Sequence, residues 1–367
     1  MSSTPERGSI ARHVDLDWAR ALAVLIMIEA HVLDAWTRPA DRTIQAFHYL
    51  NVLGGFAAPL FLWLAGVASV LSGERIIDRT GRRPEAGWAV ARRGLEVFSL
   101  AFLFRLQSFL FNPGGPAVTI LRVDILNVLG LGIMLTCALW SLPMPRTWRV
   151  ALLAGIATVT AMVTPVVRLA TWVASLPAGL QWYVRPSGDH TVFTLFPWLW
   201  FVFAGGAVGV LLAGARARRT TPWLHLALAA VGVALCLVGF YTATLPTIYR
   251  QSSYWTSSPT FFAVRSGVLL LFGPLLYALV RIAAKWDIAC LPIQRLGRAS
   301  LFIYWIHVPI VYGWVTYPLR RRLTIPQTLI AFLLFSGLMY GALLTRDWLR
   351  ELWVQRRRSG VGSLRPA

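Results

Sequence analysis

Long apolar stretches occupy most of the chain and dominate what it can fold into. A helix that crosses a bilayer needs about 20 consecutive, mainly apolar residues. Ten stretches meet this requirement, at roughly 17–36, 52–72, 88–111, 119–140, 149–170, 191–213, 223–244, 260–283, 299–317 and 326–347. Because a backbone in lipid must satisfy its hydrogen bonds internally, each stretch is predicted to be an α-helix. We therefore predict an all-α, polytopic integral membrane protein with about 10 transmembrane helices.

The composition supports a membrane location. Hydrophobic residues make up 57% of the 367 residues and charged residues 14%, against roughly 45–50% and about 25% in soluble domains. The remaining charge is unequal, with 35 Lys and Arg against 15 Asp and Glu, a net charge of +20. Since these basic residues punctuate apolar runs, their predicted counterpart is the lipid bilayer and not nucleic acid.

The distribution of basic residues predicts the orientation of the helices. With the N-terminus in the cytoplasm, the cytoplasmic connectors hold about twice as many basic residues as the outer ones. This predicts an N-in/C-in topology, with a cytoplasmic tail over 1–15, a single transmembrane domain over 16–348 and a basic cytoplasmic tail over 349–367. The run Arg320–Arg322 disagrees, because it falls outside. Either one of the last two helices is misplaced, or this run binds something anionic.

Ionisable residues inside the predicted first span are candidate functional residues, because charge within a bilayer is costly. Asp17 and Arg20 are three residues apart, so they share a helix face and can pair. His31 follows Arg20 by eleven residues, about 16 Å along a helix and nearly in phase with it. The face thus presents an arginine near the cytoplasmic surface and a histidine towards the outer side. Interfacial anchoring by Asp17 and Arg20, with His31 as a helix cap, is the structural alternative.

Later spans carry further polar residues, namely Arg105, Arg122, Asp124, Asn127, Tyr304 and His307. Asp124 shares a helix face with Asn127, and Tyr304 shares one with His307. Together with His31, these residues project to the middle or outer half of the membrane, which predicts a polar interior cavity.

Histidine is well suited to take and return a proton near neutral pH. The sequence contains no GxSxG, P-loop or HExxH motif, and no cluster with metal-ligand spacing. We therefore expect histidine-assisted group transfer to a hydroxyl or amine, without a metal.

Several motifs resemble a known family. Asp17, Arg20-Ala-Leu-Ala-Val and His31 resemble the first helix of the membrane acyltransferase-3 superfamily. Later segments resemble the heparan-alpha-glucosaminide N-acetyltransferase-like branch (the DUF1624 group) in its second, third, fourth and late helices: Pro59–Gly66, Arg92–Leu95, Leu121–Gly130 and Leu296–His307. These matches run over most of the chain in the order that the family has.

The resemblance implies an acyltransferase of a bacterial inner (plasma) membrane. It would move an acetyl group from cytoplasmic acetyl-CoA, or an acyl group from another acyl-CoA, to a hydroxyl or amine. The acceptor would be a sugar, or a glycan or glycolipid of the cell envelope, at the outer face. His31 is the best match for the catalytic histidine, as general base on the acceptor. Some members place the essential histidine in the loop after the first helix, where His48 is the candidate.

The same resemblance implies roles for other residues. The arginines expected to meet the anionic donor are Arg20, Arg92, Arg93 and Arg298. The positive-inside rule alone explains Arg92 and Arg93 equally well. The residues expected to support the cavity are Asp17, Arg105, Arg122, Asp124, Asn127, Tyr304 and His307.

The sequence also allows functions other than acyl transfer. The intramembrane charges also suit a transporter or flippase for an anionic or amphipathic solute, although no paired inverted repeat is recognisable. A non-catalytic membrane scaffold is a third reading. Direct transfer, transfer through an acyl-histidine and the formation of homo-oligomers all stay open.

Overall fold

The computed structural model describes residues 13–111, 116–286, 288 and 290–362. Of the predicted tails, residues 1–12 and 363–367 lie outside this described part. Its regular structure consists of α-helices, short 3-10 turns and two isolated bridges, which confirms the all-α prediction. The helices are α1 (Val14–Trp36), α2 (Gln45–Gly54), α3 (Ala57–Thr80), α4 (Arg83–Phe111), α5 (Ile125–Ser141), α6 (Arg146–Leu169), α7 (Ala178–Val184), α8 (Leu195–Ala217), α9 (Thr221–Ala243), α10 (Pro259–Lys285), α11 (Leu291–Arg298), α12 (Ser300–Tyr312) and α13 (Ile325–Gly362).

Each of the ten predicted stretches coincides with one of the longer helices. Among the residues that the structure describes, six segments are long and apolar enough to cross a membrane, namely Gln45–Thr80, Arg146–Leu169, Leu195–Ala217, Thr221–Ala243, Pro259–Lys285 and Ile325–Arg356. Of the other four, α1 and α4 are interrupted by charged residues within their apolar stretches. Helices α5 and α12 are only 17 and 13 residues long. The count of ten spans and their N-in/C-in orientation therefore stay predictions.

Two local expectations need correction. The connector over 73–87, between the predicted spans 52–72 and 88–111, is mostly helical and not a loop, because α3 continues to Thr80 and α4 begins at Arg83. Gly81 ends α3 with a left-handed φ of 69°, which a residue without Cβ adopts at little cost. His48 is not in a loop but within α2. Helix α13 extends into the predicted tail over 349–367, as far as Gly362, and the cytoplasmic location of this tail stays a prediction.

Helices α3 and α8 touch through their backbones. A Cβ placed on Gly66 would collide with the Val202 carbonyl oxygen, and one on Gly205 would collide with that of Trp63. Small residues at a helix interface allow this approach, which supports close packing where lipid offers no hydrophobic drive. The larger buried cluster forms around this contact.

A second buried cluster joins α1 to α12 and α13. The loop after α1 is tied to the start of α13 through Asp41, which is buried. Arg38 Nε donates to Asp41 Oδ1 at 2.6 Å, and the Ile325 N–H donates to Asp41 Oδ2 at 3.1 Å. The hydrogen bond from Arg38 is the largest influence, and it holds the pKa of Asp41 below its usual range. Within the second cluster, α12 packs directly against α1.

Candidate active site

Helices α1 and α12 bring two histidines together. His31 Nδ1 lies 2.9 Å from His307 Nε2, although the two residues are 276 positions apart. His307 is fully buried, and its Nδ1 lies 2.8 Å from the carbonyl oxygen of Ile303. A carbonyl oxygen only accepts, so His307 Nδ1 carries the proton and Nε2 of the neutral ring accepts. His31 Nδ1 is then the donor, and His31 Nε2 keeps a free lone pair.

An ion pair between Arg105 and Asp124, largely shielded from solvent, lies next to the histidines. The ring of Tyr304 lies edge-on to His307, with centroids 5.9 Å apart. The Tyr304 hydroxyl donates to Asp124 Oδ2 at 3.5 Å, and Arg105 Nη2 donates to the same oxygen at 2.5 Å. Asp124 is 6% exposed, so its charge is balanced chiefly by Arg105. The predicted convergence of His31, Arg105, Asp124 and His307 is therefore present in the fold.

The start of α5 explains why Asp124 points to this site. Asp124 is the N-cap of α5 and forms a capping box with Asn127. Such a box satisfies amide groups that the first helical turn leaves unpaired. The Asn127 side chain also donates to the Tyr183 hydroxyl at 3.3 Å. Arg122 lies just before the cap, and its Nε is buried without a hydrogen-bond partner among the described residues.

Two residues that the sequence analysis missed lie on the far side of His31. The Tyr312 ring meets the His31 ring edge-on at 5.8 Å, and its hydroxyl donates to Asp34 Oδ2 at 2.9 Å. Arg42 Nη1 lies 3.6 Å from Asp34 Oδ1. No sequence pattern links Asp34 with Tyr312, because 278 positions separate them.

A cavity of about 850 Å³ opens at the other end of the same helices, between α1, α3, α4 and α5. Four arginines line it: Arg20, Arg75, Arg79 and Arg93. Arg20 Nη1 lies 3.3 Å from Asp17 Oδ1, which confirms the predicted pairing of these two residues.

Two of the predicted donor-binding arginines lie outside the lining. Arg92 pairs with Glu96 on the helix surface, and Arg298 Nε lies 3.7 Å from Asp17 Oδ2. Arg75 and Arg79 line the cavity but were not predicted to do so, because the positive-inside rule already accounts for cytoplasmic arginines. Their spacing of four residues, which puts them on one helix face, was the available clue.

The cavity and the histidine pair are connected by shared helices. On α1, Arg20 and His31 are separated by eleven residues, about 16 Å along the axis. On α4, the cavity residue Val97 precedes Arg105 by eight residues, about 12 Å. A molecule that reaches from the arginines to the histidines must therefore be elongated and anionic at one end.

His48 lies apart from this arrangement. It is exposed on α2, and its ring meets those of Trp255 and Tyr49 at 6.2 and 6.4 Å. The α2 helix packs on α1 through Gly54, where a Cβ would lie 2.8 Å from Ala30 Cβ. In the part of the chain that the structure describes, no group of three or more His, Cys, Asp or Glu side chains is placed to hold a metal ion.

Comparison with known families agrees with this geometry. The family model described as heparan-alpha-glucosaminide N-acetyltransferase, catalytic, matches residues 12–249. The match includes His31, Arg105 and Asp124 and ends before α12, which carries Tyr304 and His307. A comparison with curated proteins finds no significant match. Because the family match covers more than half of the sequence, the chain belongs to the heparan-alpha-glucosaminide N-acetyltransferase catalytic family, and this membership indicates a membrane acetyltransferase.

Proposed function

We propose that this protein transfers an acetyl group from acetyl-CoA, or an acyl group from another acyl-CoA, to a hydroxyl or amine. The acceptor is a sugar, or a glycan or glycolipid of the cell envelope, at the outer face of a bacterial inner membrane. One observation carries the proposal: the hydrogen-bonded pair of His31 and His307 lies towards one end of α1, and an arginine-lined cavity lies at the other end of that helix.

The cavity suits the anionic end of the donor. Guanidinium groups bind phosphate oxygens with short, charge-assisted hydrogen bonds. Arg20, Arg75, Arg79 and Arg93 supply four such groups around about 850 Å³. Arg298 acts through Asp17, which it contacts together with Arg20. With phosphates held here, the pantetheine arm runs along α1 and carries the thioester towards His31.

His31 performs the proton transfer. Its Nε2 takes the proton of the acceptor hydroxyl or amine as the acceptor oxygen or nitrogen bonds to the thioester carbonyl carbon. The carbon–sulfur bond breaks, and the proton passes from His31 to the departing thiolate of coenzyme A. His307 keeps His31 in the required tautomer by accepting from Nδ1. In the two-step alternative, His31 Nε2 itself attacks the thioester carbon, and the carbon–sulfur bond breaks to release the thiolate of coenzyme A. The acyl group then passes from Nε2 to the acceptor, whose proton goes to the thiolate.

The topology fits this direction of transfer. The cavity lies at the end where α1 begins, which the basic residues predict to be cytoplasmic and which therefore faces the acyl-CoA pool. The histidine pair lies towards the opposite end, where an envelope acceptor is met.

A matched pair of variants tests the donor site. Arg92 and Arg93 both bind Glu96, but only Arg93 lines the cavity. In a purified-enzyme assay of CoA release with glucosamine as acceptor, Arg93→Gln should raise KM for acetyl-CoA several-fold, and Arg92→Gln should leave it unchanged. Equal effects of the two variants would refute the cavity as the donor site.

Variants of the two histidines distinguish the remaining mechanisms. His31→Ala should abolish CoA release, and His48→Ala should retain it. Retention by both variants would remove the histidine mechanism. An acyl-enzyme burst without acceptor would favour the two-step route, whereas solute uptake without CoA release would favour a transporter.

A further inference from the structure

The turn Arg320–Arg322 is fixed to the end of α1. The Arg321 N–H donates to the carbonyl oxygen of Ala35 at 3.0 Å, and the Arg322 N–H donates to that of Trp36 at 3.0 Å. These bonds satisfy carbonyl groups that a helix end leaves without partners. The turn therefore lies at the end of α1 opposite the donor cavity. The sequence alone allowed two explanations for these arginines, a misplaced late helix or the binding of an anion. Because the turn is bonded to the end of α1, the first explanation no longer applies.

The three side chains of this turn are exposed. None of the three guanidinium groups makes a hydrogen bond or ion pair with another described residue. Arg321 has a left-handed φ of 55°, which an arginine adopts at a cost. The three arginines and Tyr317 line a second cavity of about 280 Å³. Three adjacent like charges repel one another, so an anion in this cavity relieves the repulsion.

The neighbouring 3-10 turn, Trp314–Leu319, indicates which anion is available. Trp314 is 74% exposed, Val315 81% and Tyr317 57%. In a membrane protein, exposed Trp and Tyr side chains gather at the level of the lipid headgroups. The arginines that follow directly in the chain then lie at the depth of the lipid phosphates.

We propose that Arg320, Arg321 and Arg322 form a binding site for the phosphate of an anionic membrane lipid, in the leaflet at the C-terminal end of α1. The backbone bonds to Ala35 and Trp36 hold the turn in place, and the guanidinium groups supply the phosphate contacts. The site is separate from the donor cavity and does not depend on the acetyl-transfer mechanism.

A second arginine turn in the same chain provides a matched control. Arg216 lies in the last turn of α8, and Arg218 and Arg219 follow at its C-terminal end, where Arg219 has a φ of 58°. The two triple variants therefore remove the same charge, each from a segment that holds one arginine with a left-handed φ. They are R320Q/R321Q/R322Q and R216Q/R218Q/R219Q.

The test is native mass spectrometry of the full chain in detergent, with short-chain phosphatidylglycerol as the probe. The 320–322 variant should bind the lipid on the order of a hundredfold more weakly, whereas the 216–219 variant should bind as the wild type does. Equal losses in both variants would overturn the site. Displacement of the lipid by an equimolar amount of inorganic phosphate would overturn the assignment to a lipid.

A single variant guards against misfolding. The α1 contacts are made by backbone groups, and Arg320 takes no part in them. Arg320→Gln should therefore keep the thermal unfolding temperature and still weaken lipid binding several-fold. Unchanged lipid binding in this variant would count against the proposal.

Discussion

The hydrogen bond between His31 and His307 provides the sharpest test of the proposed chemistry. His307→Ala removes the acceptor for His31 Nδ1, which lies 2.9 Å away. As His31 takes up a proton, this bond changes from a neutral one, worth about 0.5–1.5 kcal/mol, to a charged one, worth about 1.5–3 kcal/mol. The difference of about 1–2 kcal/mol is a loss of transition-state stabilisation, so kcat should fall roughly 5- to 30-fold.

KM for acetyl-CoA should not change in the same variant. The donor cavity includes Arg20, about 16 Å along α1 from His31. A drop in kcat at constant KM is the signature of an interaction that is made only in the transition state.

Glutamine provides the matched control for His307→Ala. The Oε1 atom of Gln can occupy the place of His307 Nε2 and accept from His31 Nδ1. We expect His307→Gln to recover most of kcat, measured as CoA release with glucosamine as acceptor. Thermal unfolding of both variants checks that the fold is kept. A wild-type kcat in His307→Ala, or a folded His307→Gln as slow as His307→Ala, would refute the positioning role.

Three further predictions concern stability, each measured by thermal unfolding in detergent. Gly66→Ala should destabilise the protein by about 1–3 kcal/mol, because its Cβ meets the α8 backbone. Gly337→Ala, where a Cβ meets nothing within 4 Å, should be neutral or stabilising; equal losses would contradict the packing argument. Asp124→Asn should cost about 3–5 kcal/mol by leaving Arg105 without its carboxylate, and adding Arg105→Gln should recover part of it; full additivity would contradict the pairing. Asp41→Asn should destabilise at neutral pH. Because the folded pKa of Asp41 is depressed, its contribution is present above the unfolded pKa of about 3.9 and is lost as the pH falls through the folded value, so a pH-independent difference would contradict this account.

Local parts of the site could be predicted from the sequence because they depend only on helix periodicity. Asp17 pairs with Arg20, as a spacing of three residues predicts. Asp124 also meets Asn127, but as the extended N-cap of α5 and not on a shared helix face. His48 shows the limit of this reasoning. Its helix has only 10 residues, too few to be recognised as a membrane span, so the loop prediction was wrong.

Long-range parts of the site could not be predicted, because periodicity says nothing about which helices are neighbours. The contact of His31 with His307 depends on α12 packing against α1. The place of Arg75 and Arg79 in the cavity lining was not predicted for a different reason. A cytoplasmic arginine that binds a ligand looks the same in the sequence as one that only sets topology.

The sequence by itself determined that this chain is an all-helical membrane protein, because lipid admits few structures for long apolar stretches. It also determined which rare polar residues lie within them. Only the tertiary structure decided how those residues meet. Close backbone packing, such as that of Gly66 against α8, sets the order of the helices. That order places the arginine-lined cavity at one end of α1 and the histidine pair and the Arg320–Arg322 turn towards the other.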